Sequence, residues 1–298
     1  MLRQKFVAIG HITNDISPGE HLGGGVSYSA VTAARMGLEA HIITKCPINH
    51  PFVKELKELG VIVHILPSNL NTITTFDTRN ARGKRSQTVS EIQELISPKD
   101  EKSFPWHILK DSIILVAPVT TFDVDRKLFP YLAKYGDLNV IPQGYFRKIL
   151  KNGNVVPKKW ENFRMYASSM KTVVLSEEDI VLQPNLVKYF PLVVLTQGAK
   201  GAVVYRNGQK ICQTNAFPLQ RTELVDFEGA GDVFAAAFII EMIRKSGDIK
   251  ASSEAACLLA AVKISGICGI GVNSIPSRKQ IAEFLKKHSK LAAHVVKL

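Results

Sequence analysis

The stretch Val225-Asp226-Phe227-Glu228-Gly229-Ala230-Gly231-Asp232-Val233-Phe234 carries the sharpest chemical signal in the chain. Small residues at 229–231 run directly into a strong helical pattern. Their backbone N–H groups would face outward at a helix N-terminus, where the dipole also favours an anion. That is the physics of a phosphate or oxyanion cradle. An aspartate one residue further on repels a phosphate that is merely bound. It makes sense if Asp232 takes a proton from an attacking hydroxyl. The plainer reading is a helix-start aspartate that complements the dipole.

A second cluster, Gly23-Gly24-Gly25-Val26-Ser27-Tyr28-Ser29-Ala30, also precedes a helix. A dinucleotide fingerprint needs a third glycine where Tyr28 stands, and the cluster lies well past the first strand, so that reading is disfavoured. A glycine floor that lets a ligand approach remains open beside a purely structural role. The chain has no GxxxxGK[ST] phosphate loop.

These groups need a scaffold, and the hydropathy pattern supplies one. Phe6–Ile9, Ala40–Thr44, Val61–Leu66, Ser112–Val116, Leu138–Ile141, Thr172–Leu175 and Leu192–Thr196 read as buried strands. Amphipathic stretches lie between several of them: Ser27–Met36, Pro51–Leu59 and Val124–Tyr135. Such alternation predicts a parallel sheet covered by helices on both faces, with ligands at the carboxyl ends of the strands. Gln143, just past one strand end, could reach a substrate or simply make a turn. The polar, threonine-rich segment Asn71–Val89, with a turn signal at Arg82-Gly83-Lys84, predicts a β-hairpin outside the main sheet. A hairpin alone lacks a core, so it should pack over something, with Asp15–Leu22 pairing beside it as a lid. Further on, Lys200–Tyr205 and Gln209–Gln213 flank Asn207-Gly208, a hairpin turn. Helices are predicted at Ala230–Lys245, Ser252–Cys268 and Ser277–His288.

Composition narrows the classes. The chain's 298 residues, 46% of them hydrophobic, can bury one sizeable core. The net charge of +12 is scattered and not interleaved with aromatics, so no nucleic-acid partner is expected. The four cysteines, at 46, 212, 257 and 268, lack metal-ligand spacing, which points to a reducing, cytoplasmic setting. No apolar run is long enough to span a membrane.

Taken together, the motifs resemble the ribokinase (PfkB) family of sugar and nucleoside kinases. Gly23-Gly24, Ala30 and Ala33-Ala34-Arg35-Met36-Gly37 resemble its N-terminal signature. Asp226-x-x-Gly229-Ala230-Gly231-Asp232-x-Phe234 resembles its more specific C-terminal one. Leu195-Thr196-Gln197-Gly198-Ala199-Lys200-Gly201-Ala202 resembles its nucleotide segment, in the right order between the two. The resemblance implies a three-layer α/β/α fold over residues 1–298 with a mainly parallel sheet and a small β-lid at roughly 12–22 and 71–90. It implies ATP with magnesium, Asp232 as catalytic base, and an anion hole at Gly229, Ala230 and Gly231. Thr196, Gly198, Gly201, Ser176 and Asp226 would line the nucleotide site. Asp15, Gly23, Gly24, Tyr28 and Gln143 would face a small substrate, and Asp179 would act on magnesium through water. A homodimer through the lid would suit its exposed strand edges.

The departures bear on substrate. Tyr28 stands where sugar kinases of the family commonly carry asparagine. Ser176-Glu177-Glu178-Asp179 replaces Asn-x-x-Glu, and Glu228 replaces a threonine near a monovalent-cation position, which leaves a potassium requirement open. A polyol such as a sugar or inositol is expected. The alternatives are a nucleoside, stacked on Tyr28 or Phe76, or a binding protein that has lost catalysis.

Overall fold

The computed structural model describes residues 4–16, 19–81 and 84–289. The turn predicted at Arg82-Gly83 lies outside the described residues. In chain order the elements are β1 (Lys5–Ile9), β2 (Thr13–Asp15), β3 (His21–Gly23), α1 (Gly25–Arg35), β4 (Glu39–Thr44), α2 (Pro51–Glu58) and β5 (Val61–Ile65). Then come β6 (Thr74–Ala81), β7 (Lys84–Glu91), α3 (Trp106–Leu109), β8 (Ser112–Val116), α4 (Phe129–Leu132), β9 (Gly136–Val140), β10 (Arg147–Ile149) and β11 (Val155–Pro157). The remainder are β12 (Thr172–Ser176), α5 (Glu177–Ile180), β13 (Leu192–Thr196), β14 (Ala202–Arg206), β15 (Gln209–Thr214), α6 (Ala230–Arg244), α7 (Ile249–Ile264) and α8 (Arg278–Lys287).

The apolar runs pair into one sheet of order β15-β14-β13-β12-β9-β8-β1-β4-β5. Its strands are parallel except β14, which runs against both neighbours. Side chains alternate between the two faces. Phe6 and Ala8 of β1 join a core under α1, α6 and α7, while Val7 and Ile9 join a second core with Trp160 and Phe190. That is a three-layer α/β/α arrangement. The chain leaves β1 toward β4 on one side and returns to β8 on the other, so the strand order reverses at β1. An open parallel sheet has its ligand crevice at such a reversal, beyond the carboxyl ends of the strands.

The segment after β1 enters a second, four-stranded sheet of order β3-β2-β6-β7. Asp15 pairs with His21 on one side and with Phe76 on the other. Phe76 and Val89 face each other across β6 and β7 and pack with Val119 from the main body. The predicted hairpin and the segment beside it therefore form one small sheet with its own minor core. The outer edge of β7 is partly taken up within the chain, since the Val89 N–H donates to the Gly153 carbonyl at 2.9 Å.

One predicted helix is corrected. Val124–Tyr135 is not a continuous helix but a short turn at Arg126–Leu128, capped by the Asp125 side chain, followed by the single turn of α4. Pro130 lacks an N–H and its ring would clash with a preceding turn, so it is accepted only in the first turn of a helix. At the other hairpin, Asn207 and Gly208 take φ of 49° and 79°, the left-handed pair that joins β14 to β15. Among the described residues, no helix is long and apolar enough to cross a membrane, and the four cysteines are free thiols.

Candidate active site

Beyond the carboxyl end of β1, three consecutive glycines carry the chain from the small sheet into α1. A Cβ on Gly23 would lie 2.0 Å from Asp15 Oδ2 and 2.7 Å from Thr13 Oγ1. Gly24 has φ of +90°, and its Cβ would lie 2.7 Å from the His11 carbonyl. A Cβ on Gly25 would lie 2.7 Å from Asp232 Oδ1. The two carboxyl groups thus rest on glycines separated by a single residue, and any side chain on either glycine would push its aspartate away. Sequence reasoning assigned Gly23 and Gly24 to the substrate floor but missed Gly25, which seats Asp232.

Asp232 comes from the first turn of α6. That helix starts without a side-chain cap hydrogen bond, with Gly229 at φ of 65° as the N-cap residue just before it. The Val233 N–H donates to the Gly229 carbonyl at 2.9 Å, and the Ala230 N–H reaches the Phe227 carbonyl at 3.3 Å. Above Gly231 there is open space: a Cβ there would meet nothing within 4 Å. An uncapped helix start leaves first-turn N–H groups available to an anion. Gly229 is needed for a different reason. A Cβ on it would lie 2.3 Å from the Tyr28 ring, which passes directly beneath. Tyr28 is only 2% exposed, so it supports the loop and is not at the surface of the cleft.

The Asp226 carboxylate is engaged by three donors within the chain. Its Oδ1 accepts from the Glu228 N–H at 2.9 Å, and its Oδ2 accepts from the Gly271 N–H at 2.9 Å and from Lys263 Nζ at 2.6 Å. These donors anchor the loop that carries the carboxylate.

The sequence places Glu228 only near a monovalent-cation position and gives His21 no role, yet the structure brings both to the site. Glu228 hydrogen-bonds the Asp15 carboxyl, and its Oε2 lies 2.9 Å from His21 Nε2. Burial, followed by the charge of Glu228, pushes the Asp15 carboxyl up to about 7. The hydrogen bond to Glu228 raises His21 to about 9, so the imidazole is cationic near neutrality. Burial works against Glu228, but hydrogen bonds from His21 and Asp15 hold it below the usual carboxylate range. The ligand atoms of Asp15, His21 and Glu228 lie within 4.8 Å of one another. A shared proton and the charged imidazole already compensate this cluster internally.

The nucleotide side lies at the ends of β12 and β13, where Ser176 and Thr196 are register partners. The Thr196 hydroxyl donates to the Leu175 carbonyl at 3.1 Å. Ser176 caps α5, and Asp179 Oδ2 accepts from both its N–H and its hydroxyl at 2.8 Å. Burial raises the Asp179 carboxyl, while the charge of Arg147 works the other way. Gly198, at φ of +54°, has open space around it. Gly201 serves packing: a Cβ there would lie 2.0 Å from the Thr214 carbonyl. Gln143 lies half-buried in the turn Pro142–Phe146 that follows β9. Four residues on, Arg147 donates to the Val119 carbonyl at 2.8 Å and stacks 5.7 Å from the Phe76 ring centre. It ties the small sheet to the body beside Asp179, and no motif announced it.

A model of the pfkB family of carbohydrate kinases matches residues 175–270, a stretch that contains Ser176, Thr196, Asp226 and Asp232. A ribokinase of Arabidopsis thaliana is 33% identical over 95 residues, 32% of this chain. That match spans about a quarter of the relative's length, 24%. In structure, the chain is similar to a pyrophosphate-dependent kinase of the ribokinase family holding a pyrophosphate analogue and myo-inositol. The TM-score is 0.74 at 20% identity, over 93% of this chain and 99% of that one. It is also similar to a sugar kinase from Pyrococcus horikoshii in complex with ATP, with a TM-score of 0.69 at 18% identity over 98% and 100% of the chains. The chain thus has the ribokinase fold, and its residues 175–270 match the model of the pfkB family of carbohydrate kinases.

Proposed function

We propose that this chain is a phosphotransferase that moves the γ-phosphoryl group of ATP to a hydroxyl of a small polyol, a sugar or an inositol. The observation that carries this reading is the placement of Asp15 and Asp232 over Gly23 and Gly25, at the mouth of an uncapped helix. A hydroxyl held by Asp15 would then be presented to Asp232. Asp232 takes the hydroxyl proton as the oxygen bonds to the γ-phosphorus and the bond to the β–γ bridging oxygen breaks, releasing ADP. Backbone N–H groups at 229–231 stabilise the charge on the transferring group.

The nucleotide would lie along Ser176, Thr196 and Gly198, at adjoining strand ends. The half-buried Asp179 fits a role in ordering water around magnesium, which would neutralise phosphate charge. Closure of the sheet formed by residues 12–22 and 71–90 would exclude water from the transfer. Residues 1–298 would act as one kinase domain. A dimer through the small sheet would show as twice the monomer mass by light scattering.

The nucleoside alternative has lost support, because both proposed base platforms are buried: Tyr28 under Gly229 and Phe76 in the small sheet's core. The test is a panel of sugars, inositols and nucleosides with magnesium and either ATP or pyrophosphate as donor. Phosphorylation of a polyol by ATP, lost in Asp232→Asn, supports the proposal. Turnover only with pyrophosphate would overturn the donor, and turnover only of a nucleoside would overturn the acceptor. Binding without turnover of any acceptor would favour a non-catalytic binding protein.

A further inference from the structure

Lys263 of α7 is a fully buried lysine set beneath the loop that carries the proposed anion hole. Its ammonium lies 2.6 Å from Asp226 Oδ2 and 3.2 Å from the Asp226 backbone carbonyl. The same ammonium sits over the Tyr28 ring at 5.5 Å from its centre. Tyr28 is the ring on which Gly229 rests, and Asp226 is the carboxylate that holds the Glu228 N–H. One cation therefore meets both supports of residues 226–229, from the side and from below. Asp226 Oδ2 also takes the Gly271 N–H, so the loop is tied through this pair to the segment after α7. Burial pulls the lysine's pKa down, and the charges of Asp226, Glu228 and Asp232 oppose that pull.

A lone buried ammonium is costly unless paired and hydrogen-bonded, and simple packing would be served by an apolar side chain of similar length. The pairing here falls on the loop whose N–H groups must be aimed. We propose that Lys263 is a positioning residue: a built-in cation that sets the backbone of residues 226–229, so that the site works without an added monovalent cation. It touches neither substrate nor donor and acts through Asp226 and Tyr28. This inference rests on the phosphotransferase reading above.

Misplacement of catalytic groups by about 1 Å can cost about a hundredfold in rate. Lys263→Met keeps the length of the side chain and removes the charge, and Lys263→Ala leaves a space the size of a small cation. Turnover of the polyol identified by the panel should be measured in sodium, potassium and ammonium buffers, with melting temperatures recorded in each. The wild type should be indifferent to the buffer cation. Lys263→Met should lose about a hundredfold in kcat with little change in acceptor KM. Lys263→Ala should regain part of that loss, and part of its melting temperature, in potassium or ammonium but not in sodium. A wild type that needs potassium overturns the inference, as does a folded Lys263→Met with normal kcat. If the wild type phosphorylates no acceptor, the functional reading fails on its own. The melting temperature of Lys263→Ala then decides: a rise specific to potassium or ammonium supports the built-in cation, and indifference to the cation overturns it.

Discussion

Asp15 and Glu228 meet as hydrogen-bonded carboxyl groups, one from the small sheet and one from the loop before α6, with His21 closing on Glu228 from the other side. Each group answers to pH through its partner. Asp15 is raised to about 7, so between about pH 4 and pH 7 the folded chain keeps a proton that an unfolded chain has released. Stability from this group therefore falls as pH rises through that window. His21 is raised to about 9 from 6.5, so its contribution is full below about pH 6.5 and gone above about pH 9. Buried His11 runs the other way, because burial lowers its pKa. A comparison with Glu228→Gln isolates the cluster from such background. The melting temperature of the wild type minus that of the variant should fall steadily between about pH 5 and pH 9. A difference that does not change with pH would remove the coupling.

The two glycines under the carboxylates should give separable defects. Neither Gly23 nor Gly25 has a backbone that strains an alanine, so steric contact alone acts. Gly25→Ala crowds Asp232 Oδ1 and should lower kcat by about a hundredfold with little change in acceptor KM. Gly23→Ala crowds Asp15 Oδ2 more severely and should raise acceptor KM. Steady-state kinetics on both variants settles the assignment, and an exchange of the two phenotypes would reverse the roles given to the aspartates.

Asp232→Asn keeps the shape of the side chain and removes the base. General-base catalysis typically contributes about 10²–10⁴-fold, so kcat should fall by that range. Donor affinity, measured by calorimetry, should be nearly unchanged, since the N–H groups of 229–231 remain in place. Wild-type turnover in this variant would exclude Asp232 as the base.

Much of this was legible in the sequence. The strands announced themselves as short apolar runs, and the glycines before α1 and α6 marked where backbone approaches ligand. The polar hairpin at residues 71–90 was recognisable because it broke the strand–helix alternation. What stayed hidden were contacts between segments far apart in the chain. Nothing near Glu228 shows that His21 and Asp15 will meet it, and nothing near Tyr28 shows that a left-handed glycine will sit on its ring. The contact of Tyr28 with Gly229 and that of Asp226 with Lys263 are of this hidden kind. At Val124–Tyr135 the amphipathic pattern and Pro130 conflict, and the proline confines the helix to a single turn.

Arg147 offers a test of closure by the small sheet. Its guanidinium bonds the Val119 carbonyl and stacks on Phe76, so it joins that sheet to the body at the level of Asp179. Removing the planar group should loosen the joint while leaving Asp15 and Asp232 on their glycines. The cation–π contact is worth about 0.5–2 kcal/mol and the hydrogen bond from the charged group about 1.5–3 kcal/mol, a fraction of the roughly 5–15 kcal/mol of a typical domain. Arg147→Met should therefore fold, keep measurable transfer to the polyol, and leak donor phosphate to water more readily. The ratio of phosphate released to polyol phosphorylated should rise several-fold, because a looser sheet admits the competing nucleophile. Equal ratios in variant and wild type would mean that the small sheet does not exclude water, and that the Arg147 joint serves stability alone.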